Sequence, residues 1–560
     1  MIYKRFCWFC YIFLGIILVL GILRIHSLYW ANFTDTGNNR TDKYGYPGNN
    51  DLFMNLTIMF VRDAAENFFD DEPTQHPDEL QIKKDWEANV TIYYKGEKKG
   101  HGEGKNETLS LALEEAVRNA LGDKRYPNLS KGELKDARFL VAFSYPPLQS
   151  YSFISYNKAG KELIKDMVII RNLDKGLILK KIEQGKKYLF LVIEKKERGA
   201  HKYYHALNDS FENRLHTIYT SSLVLALLKT YDFGKDDQIL EYVWNSSAFI
   251  LSMQNKNKES KGYGAFYYSY NLDNKKREEK FVVGTTAKTI FTLLELYKRS
   301  GDFKYLESAE LGADWLITMQ NPNGSMMSYA RHRNGKWLTS KKNSLLYDGQ
   351  VLSAFSRIYN ATKEKKYYNA AEKIAQQLTQ KVEEKGCYLG DDYRQKNPIS
   401  SSWVIMSLLD FYKVNQNEYY KNIIFNCSNE LLERQINDPN DILRYGSWQE
   451  AYSTSGNGWL NEVMVEVYKF CKEQNRDKCD KYKDAVIKVT RWLIQNTYSE
   501  ENTFFIKNPE RAIGGIFWNN DNKYVRTDSV AHGINAYVGI SGDLEEGLLL
   551  SIPEKPLSLK

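Results

Sequence analysis

From about residue 210 the apolar positions recur at helical spacing through a long series of segments, and the series has a period. The apolar helices that this spacing predicts end in a matching tyrosine, at Tyr231, Tyr297, Tyr359, Tyr412, Tyr468 and Tyr537. Successive tyrosines stand 53 to 69 residues apart, room for two helices and a loop. Between them lie amphipathic partners such as DQILEYVWNSSAFILSMQ, YLESAELGADWLITMQ and YKDAVIKVTRWLIQ. Four partners end in glutamine, and the loop that follows carries glycine and then an aromatic residue or methionine. The sets are Gln254 with Gly264 and Phe266, Gln320 with Gly324 and Met326, Gln435 with Gly446 and Trp448, and Gln495 with Gly515 and Phe517. One helix of each pair is the more apolar, as an inner ring wrapped by an outer ring requires. Six such hairpins predict an all-α domain, a closed (α/α)6 toroid, over residues 206–550.

Ahead of the repeat the pattern changes three times, so the chain reads as multidomain. Phe6 to Leu23 is an unbroken apolar run behind Lys4 and Arg5, long enough to span a bilayer, with a basic flank that holds the N-terminus in the cytoplasm. No small-residue cleavage site follows, so residues 1–30 are expected to be an uncleaved signal anchor, with the bulk of the chain periplasmic or extracellular. Residues 31–50 are rich in Asn and Gly and read as a tether. Residues 51–205 mix both periods. Leu52 to Phe69 is helical, Val90 to Tyr94 is strand-like, KGEKKGHGEGKNE reads as a polar loop, and Leu109 to Leu121 is helical again. The order of VTIYY, EEAVRNAL, Gly122-Asp123-x-Arg125-Tyr126-Pro127, Glu133-Leu134, ARFLVAFSYPP, DKGLILKK and a strand KKYLFLVIE resembles the AMMECR domain. That resemblance implies a small α+β fold and no settled chemistry. The family's Arg-Gly-Cys turn is replaced here by Lys99-Gly100-His101.

Charge and composition narrow the function. The net charge of +7 is spread without a dense basic block, which argues against nucleic acid and is compatible with an acidic polymer. Aromatic residues make up 14% of the chain, many beside glycine, and their flat faces suit sugar binding as well as core packing. Beyond the anchor the cysteines are Cys387, Cys427, Cys471 and Cys479. Their spacing fits no zinc pattern; they are free buried thiols, or hold a bridge such as Cys471–Cys479 in an oxidising compartment. Neither metal nor cofactor is expected.

The six-hairpin pattern resembles the six-hairpin glycosidase superfamily, which includes glycoside hydrolases, unsaturated-uronide hydrolases, polysaccharide lyases and uronyl epimerases. The punctuation also resembles squalene-type cyclases, but the sequence lacks their Asp-x-Asp-Asp and Asp-Cys-Thr motifs. In such a toroid the N-terminal ends of the inner helices form one rim of a central funnel, where helix dipoles favour anions. The stretch Gly514 to Ile540 supplies Trp518, Tyr524, Arg526, Asp528 and His532 to that rim. Asp348, beside Tyr347, opens the third inner helix and Asp528 the sixth, half a ring apart. The loop from Leu443 to Trp459 adds Arg444, Trp448, Glu450 and Trp459, and Glu462 follows.

The expected catalytic residues are Asp528, His532, Asp348 and Glu450, and the expected substrate-binding residues Arg526, Tyr524, Trp518, Tyr347, Arg444, Trp448, Trp459 and Glu462. Each has a structural alternative. Asp348 and Asp528 are placed as helix caps are, Glu450 as a loop charge, and Trp459, like Trp403, at core spacing. The partner implied is an oligo- or polysaccharide, and the charge balance is compatible with an acidic one. Opposed carboxylates imply glycosidic hydrolysis. A His or Tyr base with an Arg implies a polyuronate lyase or uronyl C5-epimerase instead. A non-catalytic glycan-binding or envelope-assembly protein is the reading from another class.

Overall fold

The computed structural model describes residues 51–553 except 96, 145–161, 166–169, 334–335, 341, 440, 504–505 and 520–522. The expected anchor and tether lie outside the described residues. Among those described, no helix is long and apolar enough to cross a membrane.

The chain divides into two units. One takes the described residues up to Val90 with 101–122 and 141–164; the other takes the rest. In the first, the Asp51–Asp70 helix packs on the Leu109–Leu121 helix. The strands Glu97–Thr108, Lys83–Tyr94, Arg138–Ser144 and Glu162–Lys165 lie side by side in that order. The glycine-rich stretch read as a loop is therefore a strand. Its Gly102 and Gly104 lie so close to the Leu109–Leu121 helix that a Cβ on either would stand 2.1 Å from the Ala116 or Ala112 carbonyl oxygen.

The second unit contains the toroid. Its inner helices, among the described residues, are Thr217–Gly234, Val283–Ser300, Leu345–Thr362, Pro398–Asn415, Thr454–Glu473 and Thr527–Ser541. Each packs on the next, and the sixth packs back on the first, so the ring is closed. Five outer helices follow their inner partners: Gln238–Ser252, Phe303–Thr318, Lys365–Lys385, Glu418–Leu432 and Asp480–Gln495. The sixth outer helix is Lys175–Leu191, which packs on Thr527–Ser541. This corrects the sequence reading, in which KKYLFLVIE was a strand of the N-terminal domain. Ile178, Ile182 and Leu189 are buried, and Gly185 sits against Ile534, so the segment carries a helical stripe facing the last inner helix.

The glutamine–glycine punctuation is a joint between successive outer helices. Gly264, Gly324, Gly446 and Gly514 adopt φ of +88°, +89°, +94° and +88°, a region that suits glycine. At Gly264 a Cβ would stand 2.1 Å from the Leu311 carbonyl oxygen on the next outer helix. Gln254 Nε2 ties the same joint by donating to the Gly264 and Ser308 carbonyls at 3.0 and 2.8 Å. Gly514 makes the equivalent approach to Gln184, which seats the sixth outer helix, Lys175–Leu191, after the fifth.

A second repeat fixes the top of each inner helix. The fourth residue of five of them accepts a backbone N–H from the preceding loop. Thr220 takes Ala200, Thr286 takes Phe266, Asp348 takes Met326, Ser401 takes Leu389 and Asn457 takes Trp448, at 2.8 to 3.2 Å. The Cys387–Cys427 and Cys471–Cys479 bridges close two further links, one more than the sequence reading anticipated.

Candidate functional site

Helical geometry places residues i and i+4 on one face. In this ring that face is the axis. The sixth residues of the inner helices are Ser222, Lys288, Gln350, Trp403, Trp459 and His532, and all six line one cavity of about 690 Å³ at the helix N-termini. Four residues earlier on five of these helices, Ile218, Leu346, Ile399, Ser455 and Asp528 line it too. Loops add Tyr268, Glu450, Tyr452, Trp518 and Arg526.

Asp528 is not the helix cap that it resembled. The N-cap is Arg526, without a side-chain cap bond, and the Thr527 hydroxyl donates to the His201 carbonyl. The Asp528 carboxylate is gripped from two sides. Arg526 donates through Nε at 3.0 Å and Nη2 at 2.5 Å, and Ser455 Oγ donates at 2.9 Å. Burial alone would raise its pKa, but the Arg526 charge and the hydrogen bonds from Arg526 and Ser455 hold it below the ordinary value. The remaining donor of Arg526 Nη2 reaches the Tyr219 hydroxyl at 2.9 Å, and the guanidinium lies 4.4 Å from the Trp518 ring centroid. Asp528 and Arg526 are thus a closed ion pair in the cavity wall.

His532 is held differently. Its Nδ1 lies 2.8 Å from Glu462 Oε2. A carboxylate only accepts, so Nδ1 carries a proton, and among the described residues Nε2, in a residue that lines the cavity, makes no hydrogen bond. Glu462, nine residues into the fifth inner helix, also accepts from Lys229 Nζ at 3.1 Å and Asn535 Nδ2 at 3.0 Å. Burial would raise its pKa, yet Lys229, His532 and Lys288 together hold it far below the ordinary range, so it stays ionised. Gly458 lets the two helices meet here, since its missing Cβ would stand 3.2 Å from the Cβ of His532. The Trp459 ring meets the imidazole edge-on at 5.4 Å and stacks on Trp403 at 4.0 Å.

The other expected residues separate into two groups. Tyr347, Trp459, Trp518 and Glu450 line the cavity. Glu450 has a left-handed backbone, φ +55°, and accepts from the Tyr388 hydroxyl at 3.0 Å. Asp348, Trp448, Arg444, Tyr524 and Glu462 are not among the lining residues. Asp348 is 0% exposed and serves the loop joint, accepting from the Met326 N–H and Asn343 Nδ2; burial pushes its pKa up to about 6 against the pull of Lys381. It therefore does not face Asp528 across the funnel. Trp448 is core, its Nε1 donating to the Leu431 carbonyl. Arg444 is exposed and paired with Asp441. Tyr524 stacks behind Trp518 at 6.0 Å. Glu462 was expected to bind substrate and instead lies behind His532. Lys288, Tyr219 and Gln350 were missed, although their signal was available: Lys288 and Gln350 share the helix register of His532.

Among the described residues no cluster of His, Cys, Asp and Glu is arranged to hold a metal ion.

Neither a protein-family model nor a curated protein sequence matches the chain. Solved structures do match in fold. A cellobiose 2-epimerase from Bacillus thermoamylovorans superposes with a TM-score of 0.52 at 13% identity, over 66% of this chain and 99% of that one. A D-mannose isomerase gives 0.51 at 13% identity, over 66% and 98%. At this identity the likeness is one of fold, and the (α/α)6 toroid expected from the sequence is the fold shared.

Proposed function

We propose that the toroid is an enzyme that acts on a sugar by removing a proton from carbon, with His532 as the base and Glu462 orienting it. The observation that carries this reading is the Glu462–His532 hydrogen bond at 2.8 Å, with Nε2 left to the cavity. Nε2 takes the proton from a carbon beside a carbonyl or carboxyl group, and the electron pair passes to that group's oxygen. Return of a proton from solvent to the opposite face gives an epimer, return of the proton to the neighbouring carbon gives an isomer, and departure of a neighbouring oxygen substituent as an alcohol, with the proton that His532 has taken, gives an unsaturated product. Trp403, Trp459 and Trp518 make part of the cavity wall apolar, as a sugar ring's apolar face requires. The two fold neighbours are an epimerase and an isomerase by name, which accords with this direction. Glu462 and His532 come from different hairpins, as an active site assembled by the ring requires and a purely aromatic binding groove does not.

Hydrolysis by opposed carboxylates is the second reading, supported by Asp528 and Glu450 lining the same cavity. It is weaker because Asp528 is saturated by Arg526 and Ser455, and a general acid needs a raised pKa where Asp528 has a lowered one. We also propose that the protein works outside the cytoplasm, tethered by its N-terminal apolar run; its two disulfides support an oxidising compartment. The AMMECR-like assignment, resting on the order of parts up to residue 144, is kept as a proposal without a role in the chemistry.

A product-resolved screen of the full-length chain against neutral and acidic oligosaccharides tests the reading. An epimer, isomer or unsaturated product is expected, and none from His532→Asn. Saturated cleavage products that survive His532→Asn would overturn it.

A further inference from the structure

We propose that the cavity holds a carboxylate subsite centred on Lys288, so that the sugar presented to the Glu462–His532 pair is a uronate; the inference rests on that reading of the site. Lys288 is only 7% exposed, yet it lines the cavity. Its Nζ lies 5.2, 5.5 and 5.6 Å from the ring centroids of Trp459, Trp403 and Phe291, and makes no hydrogen bond or ion pair among the described residues. Aromatic faces attract a cation but leave its three N–H donors unused. Three other deep cations of the barrel are matched with carboxylates: Lys229 with Glu462, Arg357 with Asp410, and Arg526 with Asp528. A buried ammonium without a hydrogen-bond partner at the wall of a cavity calls for an anion from outside.

Two further groups define the anion's surroundings. Thr285 Oγ1 and Gln350 Oε1 are buried, lack partners, and belong to residues that line the same cavity. Gln350 Oε1 is held against Gly284, where a Cβ would stand 2.3 Å away, so the amide of the third inner helix reaches the second, which carries Lys288. The set offers ammonium donors, a hydroxyl that donates, and an amide oxygen that accepts. A uronate matches it: the carboxylate accepts from Lys288 and Thr285, and a ring hydroxyl donates to Gln350. A neutral hexose would cover the ammonium and leave it uncompensated. A single ammonium suits a monovalent carboxylate better than a phosphate, for which paired guanidinium groups are the fitting donors. Burial lowers the Lys288 pKa to about 8, with Glu462 opposing and Arg357 and Lys229 adding to the fall, so the amine is still mostly charged at neutral pH. The assignment also says which carbon is acidic: the one that bears the carboxylate, whose ionised oxygens are kept beside a cation as charge develops on them.

The test is equilibrium binding of three probes to the full-length protein: methyl β-D-glucuronide, methyl β-D-glucoside and methyl β-D-glucoside 6-sulfate. The wild type is expected to prefer the uronide over the glucoside by roughly ten- to a hundredfold, the range for a charge-assisted hydrogen bond. Lys288→Met, which keeps the apolar stem against the tryptophans, is expected to erase that preference with an unchanged melting temperature. His532→Asn is expected to retain it. Equal affinities, no uronide binding, or a preference that survives Lys288→Met overturns the subsite, and stronger binding of the sulfate ester overturns the carboxylate assignment. Failure of the proton-abstraction reading looks different: uronide binding through Lys288 persists while no C–H bond of the bound sugar exchanges with solvent.

Discussion

Replacing Glu462 by glutamine separates a positioned base from a structural ion pair. The carboxylate now accepts three hydrogen bonds, from His532 Nδ1 at 2.8 Å, Lys229 Nζ at 3.1 Å and Asn535 Nδ2 at 3.0 Å. A glutamine in the same place has one acceptor oxygen. Lys229 and Asn535 both need it, because neither side-chain nitrogen can accept. The new NH₂ group then faces His532 Nδ1 as a donor, and the imidazole must move its proton to Nε2. The nitrogen that faces the cavity is then protonated and cannot act as a base. The expected loss in rate is about 10²–10⁴-fold, the range for removing a general base, and near its upper end where a histidine is forced into the wrong tautomer. Stability suffers too, because Lys229 loses its counter-charge; removing one partner of a buried pair costs about 3–5 kcal/mol, and the two surviving hydrogen bonds keep the cost near the lower figure. Adding Lys229→Met to Glu462→Gln is therefore expected to recover much of the melting temperature and none of the rate. The assay is the initial rate of deuterium uptake from D₂O into a uronide oligosaccharide, beside thermal unfolding of each variant. A Glu462→Gln protein whose rate stays within a few-fold of wild type would refute the dyad, and a double mutant that regains both rate and stability would reduce Glu462 to a structural counter-ion.

Three other expectations follow from the geometry. Asp348→Ala leaves the buried Met326 N–H unpaired and should cost about 1–3 kcal/mol of stability with turnover unchanged; a large fall in rate at unchanged stability would return Asp348 to the active site. Gly514→Ala forces a side chain into φ +88° and onto the Gln184 carbonyl, and should destabilise by about 1–3 kcal/mol or more, whereas an unchanged melting temperature would mean that the sixth outer helix does not seat there. Uronide binding should be full below pH 8 and weaken about tenfold per unit above it as Lys288 loses its proton. Glu462 and Asp528 stay ionised throughout that range, their pKa values being lowered, so an affinity flat from pH 7 to 10 would exclude Lys288 as the counter-charge.

Much of the toroid was legible because its repeats are local. The tyrosines mark inner-helix ends: the left-handed caps Lys235, Gly301, Lys363 and Gln416 each return their N–H to the tyrosine four residues back. The sixth outer helix was not legible, since YLFLVI is a continuous apolar run that fits strand and helix alike, and its partner is more than three hundred residues away. Within the site, proximity in sequence brought out Arg526, Asp528 and His532 but not how they pair. The acid–base work was assigned to Asp528, which is closed off by its own neighbour Arg526. Glu462 and Lys288 reach His532 and the cavity only through ring closure and helix register, which single-segment patterns do not encode. Asp348 misled for a related reason: its helix position is functional in appearance, yet it belongs to the ring of loop-capping residues that Thr220, Thr286, Ser401 and Asn457 occupy in other repeats.

The central claim is that His532 moves a proton on carbon, and one doubly labelled reaction tests it most directly. The full-length protein is incubated with uronide oligosaccharides in D₂O enriched in ¹⁸O, and the products are resolved by mass spectrometry and NMR. Proton abstraction places deuterium on the carbon that bears the carboxylate, or gives an unsaturated product that has lost that hydrogen, with no ¹⁸O at the anomeric carbon beyond a no-enzyme control. Loss of that signature in His532→Asn is the predicted companion result. Products carrying ¹⁸O at the anomeric carbon and no deuterium on any ring carbon would contradict the account and return the cavity to the chemistry of opposed carboxylates.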